Sequence, residues 1–316
     1  MPLDPRSAAW LAMLHRIRAP RLHELPVAQA RHSFDKLMLA YRGTPPALPC
    51  DMLTLARRAH EGGPLRARLY RPAQTSPGPQ AVILWLHGGG WTLGSLDAYD
   101  PWCRMLAEAT GQAVCALDYR LAPEHRFPAG LDDAWFALRW LAREAPALGL
   151  DATRLAVAGD SAGGTLAAVL ALQARDAGAP RLAAQILVYP ATEMASGHAG
   201  PYASGHFLEA GTLDWFAHHY FESPVDAADW RASPARAPHH GGVAPALVLN
   251  AECDPLAAEG AAYAARLSAA GVPTRHVVYA GMVHGFATMF SLFDESRAVL
   301  ADIAAALRTS YPPEPA

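Results

Sequence analysis

Six short runs of almost uninterrupted apolar residues constrain this chain more than any other feature: AVILWLHG (81–88), QAVCALDY (112–119), RLAVAGD (154–160), AAQILVYP (183–190), ALVLNAE (246–252) and RHVVYAG (275–281). A strand that is apolar on both faces has no side to offer to water, so it belongs in a parallel sheet covered above and below. The intervening segments supply the covers. In GLDDAWFALRWLAREAP, Leu131, Trp135, Leu138 and Leu141 recur at three- and four-residue steps on one helical face. Such alternation defines an α/β fold with a mostly parallel sheet flanked by helices. Ahead of the first run, DMLTLARRA and PLRARLYRP flank HEGG, which predicts an antiparallel hairpin at the sheet edge.

Two stretches stand outside this repeating unit. Residues 1–48 are helical in pattern and broken by prolines, and residues 191–243 are rich in Gly, His, Pro and aromatics. Both are expected to cap a core built from residues 49–190 and 244–316. The formal charge of −3 and the lack of a Lys/Arg cluster of five or more leave nothing to hold a polyanion, so no nucleic-acid partner is expected. MPLDPRSAAW has no positive stretch followed by an apolar one, and no apolar run is long enough to cross a bilayer. A cytoplasmic location with no membrane span follows. Cys50, Cys103, Cys115 and Cys253 lie far apart without C-x-x-C spacing and read as reduced thiols.

The chemistry centres on LAVAGDSAGGTLAA (155–168), where a strand gives way to a helix across Gly159-Asp160-Ser161-Ala162-Gly163. In G-x-S-x-G the serine occupies a sharp, strained turn that exposes its hydroxyl, and the glycines remove Cβ atoms where strand and helix approach. A serine hydroxyl is a poor nucleophile without a base, so Ser161 requires partners. LHGGGW (86–91) also follows an apolar strand, and its glycines free backbone N–H groups to face a developing negative charge. Gly89 and Gly90 are the first candidates for oxyanion donors and Gly88 the reserve, with Ala162 N–H contributing from the nucleophile turn. A phosphate loop would need G-x-x-x-x-G-K-[ST], and the chain's single lysine, Lys36, lies far away in sequence. His87 reads as a brace for this loop, because the base should come later in the order Ser, acid, His.

Carboxyl ends of parallel strands open on one side of a sheet, so the partners of Ser161 should follow later strands. ALVLN leads into AECDPL and places Asp254 just past a strand end, while HVVYAG leads into MVHGF and places His284 correspondingly. Asp254 before Pro255 also suits a helix N-cap, and Glu252 is the rival acid. His276 starts a strand at the far end of the sheet. The pairs His218-His219 and His239-His240 lack metal-ligand spacing, so neither a metal nor another cofactor is expected. Trp91, Phe207, Trp215, Phe216 and Phe286 are candidates for an acyl pocket or for core packing.

HGGGW, DYRLAPEHRFPAGLDDA, GDSAGG, DPLAAEG and GMVHGF stand in this order over most of residues 50–310. They resemble the hormone-sensitive-lipase-like family of α/β-hydrolase carboxylesterases. That resemblance implies the α/β-hydrolase fold, with an eight-stranded sheet and a helical cap. It further implies hydrolysis of small carboxylic esters with short to medium acyl chains through an acyl-enzyme. Ser161, Asp254 and His284 fall on the family's triad positions and HGGGW on its oxyanion hole. The DYRLAPE stretch is structural in the family and here is expected to support the oxyanion loop. Homodimers through the edge strand or last helix are common in the family. Ala257-Ala258 departs from its pattern, which puts one local contact near the acid in question. Amide or arylacetamide hydrolysis is open to the same triad. A non-catalytic small-molecule receptor is the other alternative, although such receptors have lost the histidine that His284 retains.

Overall fold

The computed structural model describes residues 3–58, 62–73 and 78–310. Eight strands form one sheet: β1 (Cys50–Leu55), β2 (Leu65–Tyr70), β3 (Gln80–Leu86), β4 (Ala113–Asp118), β5 (Leu150–Asp160), β6 (Ala184–Val188), β7 (Ala246–Cys253) and β8 (Thr274–Val283). Their order is β1-β2-β4-β3-β5-β6-β7-β8. The pairs β1/β2 and β2/β4 are antiparallel and all others parallel. All six apolar runs are strands, and the hairpin ahead of them occupies the edge; part of its HEGG turn, and half of the AQTSPGPQ loop, lie outside the described residues.

The helices are α1 (Pro5–Arg16), α2 (Val27–Ala40), α3 (Leu96–Thr110), α4 (Ala129–Glu144), α5 (Ala162–Ala177), α6 (Ala210–Tyr220), α7 (Ala257–Ala269) and α8 (Glu295–Ser310). Alternate strand residues serve opposite layers. Val82, Leu84 and Leu86 pack with Leu131, Leu138 and Leu166 from α4 and α5, whereas Ile83 and Trp85 pack with Trp102, Leu106 and Ile303 from α3 and α8. This two-sided burial is why the strands read as unbroken apolar runs. Leu131, Leu138 and Leu141 are buried, as the helical spacing predicts, while Trp135 is partly exposed. Among the described residues no helix is long and apolar enough to cross a membrane.

Register places the chemistry. Leu86, the last residue of β3, pairs with Gly159, and Asp160 at the end of β5 pairs with Val188 of β6. Cys253 at the end of β7 pairs with Val283 at the end of β8. The loops leaving β3, β5, β7 and β8 therefore emerge on one rim of the sheet, the crevice where open α/β sheets bind ligands.

Candidate active site

Ser161 sits at φ 53° and ψ −121°, with its N–H donating to Val188 O at 2.8 Å. α5 begins at the next residue, and the turn leaves no room for a side chain at Gly159 or Gly163. A Cβ at Gly163 would run into Leu86 O, and one at Gly159 into the Gly163 carbonyl. The two glycines are thus required by a strand and a helix meeting backbone to backbone.

His284 Nε2 lies 3.0 Å from Ser161 Oγ, and His284 Nδ1 lies 2.6 Å from Asp254 Oδ2. A carboxylate can only accept, so Nδ1 carries the ring proton and Nε2 is left to accept from the serine hydroxyl. Asp254 and His284 are buried. The second Asp254 oxygen accepts from Leu256 N–H at 2.9 Å, so the acid partners the imidazole and caps the following turn together. Glu252 points elsewhere: its carboxylate accepts from Gly281 N–H at 2.8 Å. Beside Ala257-Ala258, the largely covered Glu259 accepts from Thr192 N–H at 2.6 Å and from Glu193 N–H at 3.4 Å. Burial pushes the Glu259 carboxyl up to about 8 against those bonds.

Across the cavity, Gly89 and Gly90 adopt φ values of 109° and 57°, left-handed conformations that favour glycine. A Cβ at Gly90 would also strike the Phe216 ring. Neither N–H has a partner among the described residues, and both residues line the cavity together with Ala162. Ala162 opens α5, so its N–H has no intrahelical acceptor. Gly88, expected as the reserve donor, is a correction. Its N–H donates to Asp160 Oδ1 at 2.8 Å, is therefore spent inside the protein, and Gly88 does not border the cavity.

Asp160 escaped the sequence reading as a functional group. Besides Gly88 N–H it accepts the Tyr99 hydroxyl at 2.8 Å, tying the Ser161 turn to the glycine loop. Burial raises its carboxyl to about 6, opposed by the Tyr99 and Gly88 hydrogen bonds and by His284. His87 braces the same loop. Its Nδ1 bonds Gly88 O at 2.8 Å, and its ring stacks on Tyr119 at 4.4 Å. Tyr119 donates its hydroxyl to His87 O at 2.7 Å, and Ala122 N–H donates to Trp91 O at 2.9 Å. The charges of the DYRLAPE stretch are paired: Asp118 with Arg66, Arg120 with buried Asp133, and Glu124 with Arg31.

The cavity above Ser161 and His284 is small, about 70 Å³, and mostly apolar. Trp91, Phe207 and Phe216 line it; Phe286 does not, being buried against Tyr189 and Tyr279, and Trp215 packs beside His219 instead. The roof holds residues that composition did not reveal: Phe34, Leu37 and Met38 of α2. Their i, i+3, i+4 spacing was visible as a helical face, but nothing local told a roof from ordinary packing. Among the described residues no three His, Cys, Asp or Glu side chains cluster as metal ligands.

A serine on a left-handed strand-to-helix turn, hydrogen-bonded through histidine to a carboxylate at the rim of such a sheet, defines an α/β hydrolase. A family model described as alpha/beta hydrolase fold matches residues 83–288. The chain belongs to this family, in the hormone-sensitive-lipase-like group that its motifs resemble. It is 42% identical to an ethyl acetate hydrolase of Pseudomonas putida over 98% of this chain and 99% of that one. An α/β hydrolase from the metagenome of Lake Arreo superimposes with a TM-score of 0.92 at 37% identity, covering 97% of this chain and 98% of the other. A hyperthermophilic esterase from Pyrobaculum calidifontis does so with a TM-score of 0.90 at 38% identity over 98% and 99%.

Proposed function

We propose that this protein is a serine carboxylesterase that hydrolyses carboxylic esters with short to medium acyl chains. Ser161 is the nucleophile, His284 the general base and Asp254 its orienting acid. The observation that carries the reading is the chain of hydrogen bonds from Asp254 through His284 to Ser161, at 2.6 and 3.0 Å, beside unpaired backbone N–H groups. As Ser161 Oγ attacks the ester carbonyl, His284 takes its proton, and Asp254 stabilises the imidazolium that forms. Gly89, Gly90 and Ala162 N–H groups receive the oxyanion, each such donor being worth about 10²–10³ in kcat. The imidazolium then protonates the leaving alkoxide, and water activated by the same base releases the acid. Residues 1–48 and 191–243 act as the cap, whose Phe34, Leu37, Met38, Leu208, Leu213 and Phe216 surround the acyl chain. The reading extends to a cytoplasmic setting, in keeping with four free thiols. It also extends to a homodimer paired along β8, the edge strand carrying exposed Val278.

The test is hydrolysis of p-nitrophenyl esters of rising acyl length, alongside the matched p-nitroanilide, by the native protein and by Ser161→Ala. Turnover of the short esters that disappears in a normally folded Ser161→Ala variant is expected. Ester hydrolysis that survives this substitution, or a preference for the anilide, would overturn the proposal.

A further inference from the structure

Arg31 stands on α2, one turn ahead of the residues that roof the cavity, and spreads its guanidinium over three partners from other parts of the chain. Nε donates to Thr92 O at 2.9 Å and Nη2 to Ala122 O at 2.8 Å, while Nη1 and Nη2 reach the two Glu124 oxygens at 2.8 and 2.6 Å. This pairing holds the Glu124 carboxyl down to about 2.

Thr92 closes the turn that presents Gly89 and Gly90. Thr92 N–H and Leu93 N–H both donate to Gly89 O, at 3.1 and 2.8 Å, and Thr92 Oγ1 donates to Gly90 O at 3.0 Å. Trp91 lies between at φ 57°, a conformation that a non-glycine residue keeps only when its surroundings enforce it. Its carbonyl is gripped by Ala122 N–H, in the same segment whose carbonyl Arg31 holds. One side chain from the cap therefore joins the two backbone segments that fix the glycine loop.

We propose that Arg31 is a positioning residue for the oxyanion hole: by bridging α2, Thr92 and residues 122–124 it sets the aim of the Gly89 and Gly90 N–H groups. The helix that roofs the substrate thereby also governs charge stabilisation in the transition state. The inference rests on reading the glycine loop as an oxyanion hole. Only a planar fork with several donors holds these partners at once, so lysine is no substitute.

The experiment compares the native protein with Arg31→Gln, Arg31→Lys and a control, Arg154→Gln. Arg154 also binds a carboxylate and a carbonyl, Asp151 and Pro79, but at the opposite end of β5. For each, kcat and KM on p-nitrophenyl acetate, Ki for an alkylboronic acid that forms a tetrahedral adduct on serine, and melting temperature are measured. Both Arg31 variants are expected to lose about tenfold or more in kcat, part of what a missing oxyanion donor costs. Boronate affinity should weaken by a similar factor with KM nearly constant, and Arg154→Gln should change only the melting temperature. If Arg31→Gln does not fold, Arg31→Lys decides. Native kcat and native boronate affinity in a folded Arg31 variant, a change confined to KM, or an equal loss in Arg154→Gln overturns the proposal. A native protein that neither hydrolyses the ester nor binds the boronate overturns the esterase reading itself.

Discussion

Asp160 offers a prediction whose size follows from its surroundings. Its carboxylate is buried at the foot of the nucleophile turn, and burial raises its pKa from an ordinary 3.8 to about 6. A carboxyl with a raised folded-state pKa binds its proton more tightly folded than unfolded. Its contribution to stability is therefore complete below pH 3.8 and is lost as pH rises through 6. At about 1.4 kcal/mol per pKa unit the full loss is about 3 kcal/mol, of which about 2 kcal/mol falls between pH 4 and 7. Asp160→Asn has nearly the same shape and no charge, so it lacks this slope. The assay is reversible urea denaturation of both proteins at intervals from pH 4 to 7. The stability difference, variant minus native, should rise by about 2 kcal/mol across that range, other titrating groups cancelling between the two. A difference that stays constant with pH, or falls, would falsify the assignment of a buried, proton-retaining carboxyl. Asn keeps the shorter of the two acceptors of Gly88 N–H, whereas Asp160→Ala removes it and leaves that buried donor only the Tyr99 hydroxyl at 3.1 Å. The alanine variant should accordingly lose more kcat than the asparagine one, and the reverse order would count against Asp160 as anchor of the glycine loop.

Gly163→Ala drives a Cβ into Leu86 O, a strand carbonyl that cannot step aside; a loss of about 3 kcal/mol, the upper part of the usual overpacking range, is expected in denaturant titrations. Gly90→Ala meets both the Phe216 ring and a left-handed backbone, and should lower kcat by about a hundredfold with a smaller change in KM, as removal of one oxyanion donor does. Phe216→Ala opens the wall of the cavity above Ser161. Its optimum on the p-nitrophenyl series should move to longer chains while stability falls by about 3 kcal/mol or more; an unchanged chain-length profile would show that Phe216 does not bound the acyl group.

Much of this molecule is written locally. A run such as AVILWLHG must be a two-sided strand wherever it lies, because every residue in it seeks burial, and G-D-S-A-G between strand and helix admits few backbones because sterics act over neighbouring atoms. The direction of parallel strands then sends Ser161, Asp254 and His284 to one rim, so their convergence was legible too. Gly88 shows where such reasoning stops: one glycine among three in HGGGW looks like its neighbours, and its N–H is claimed by Asp160, 72 residues later, together with the Tyr99 hydroxyl. The same holds for Arg31, whose partners lie 61 to 93 residues away, and for the roof made by Phe34, Leu37 and Met38. Periodicity and steric preference belong to a segment itself, whereas a hydrogen bond or a cavity wall depends on what the folded chain brings beside it, and that the tertiary structure alone decided.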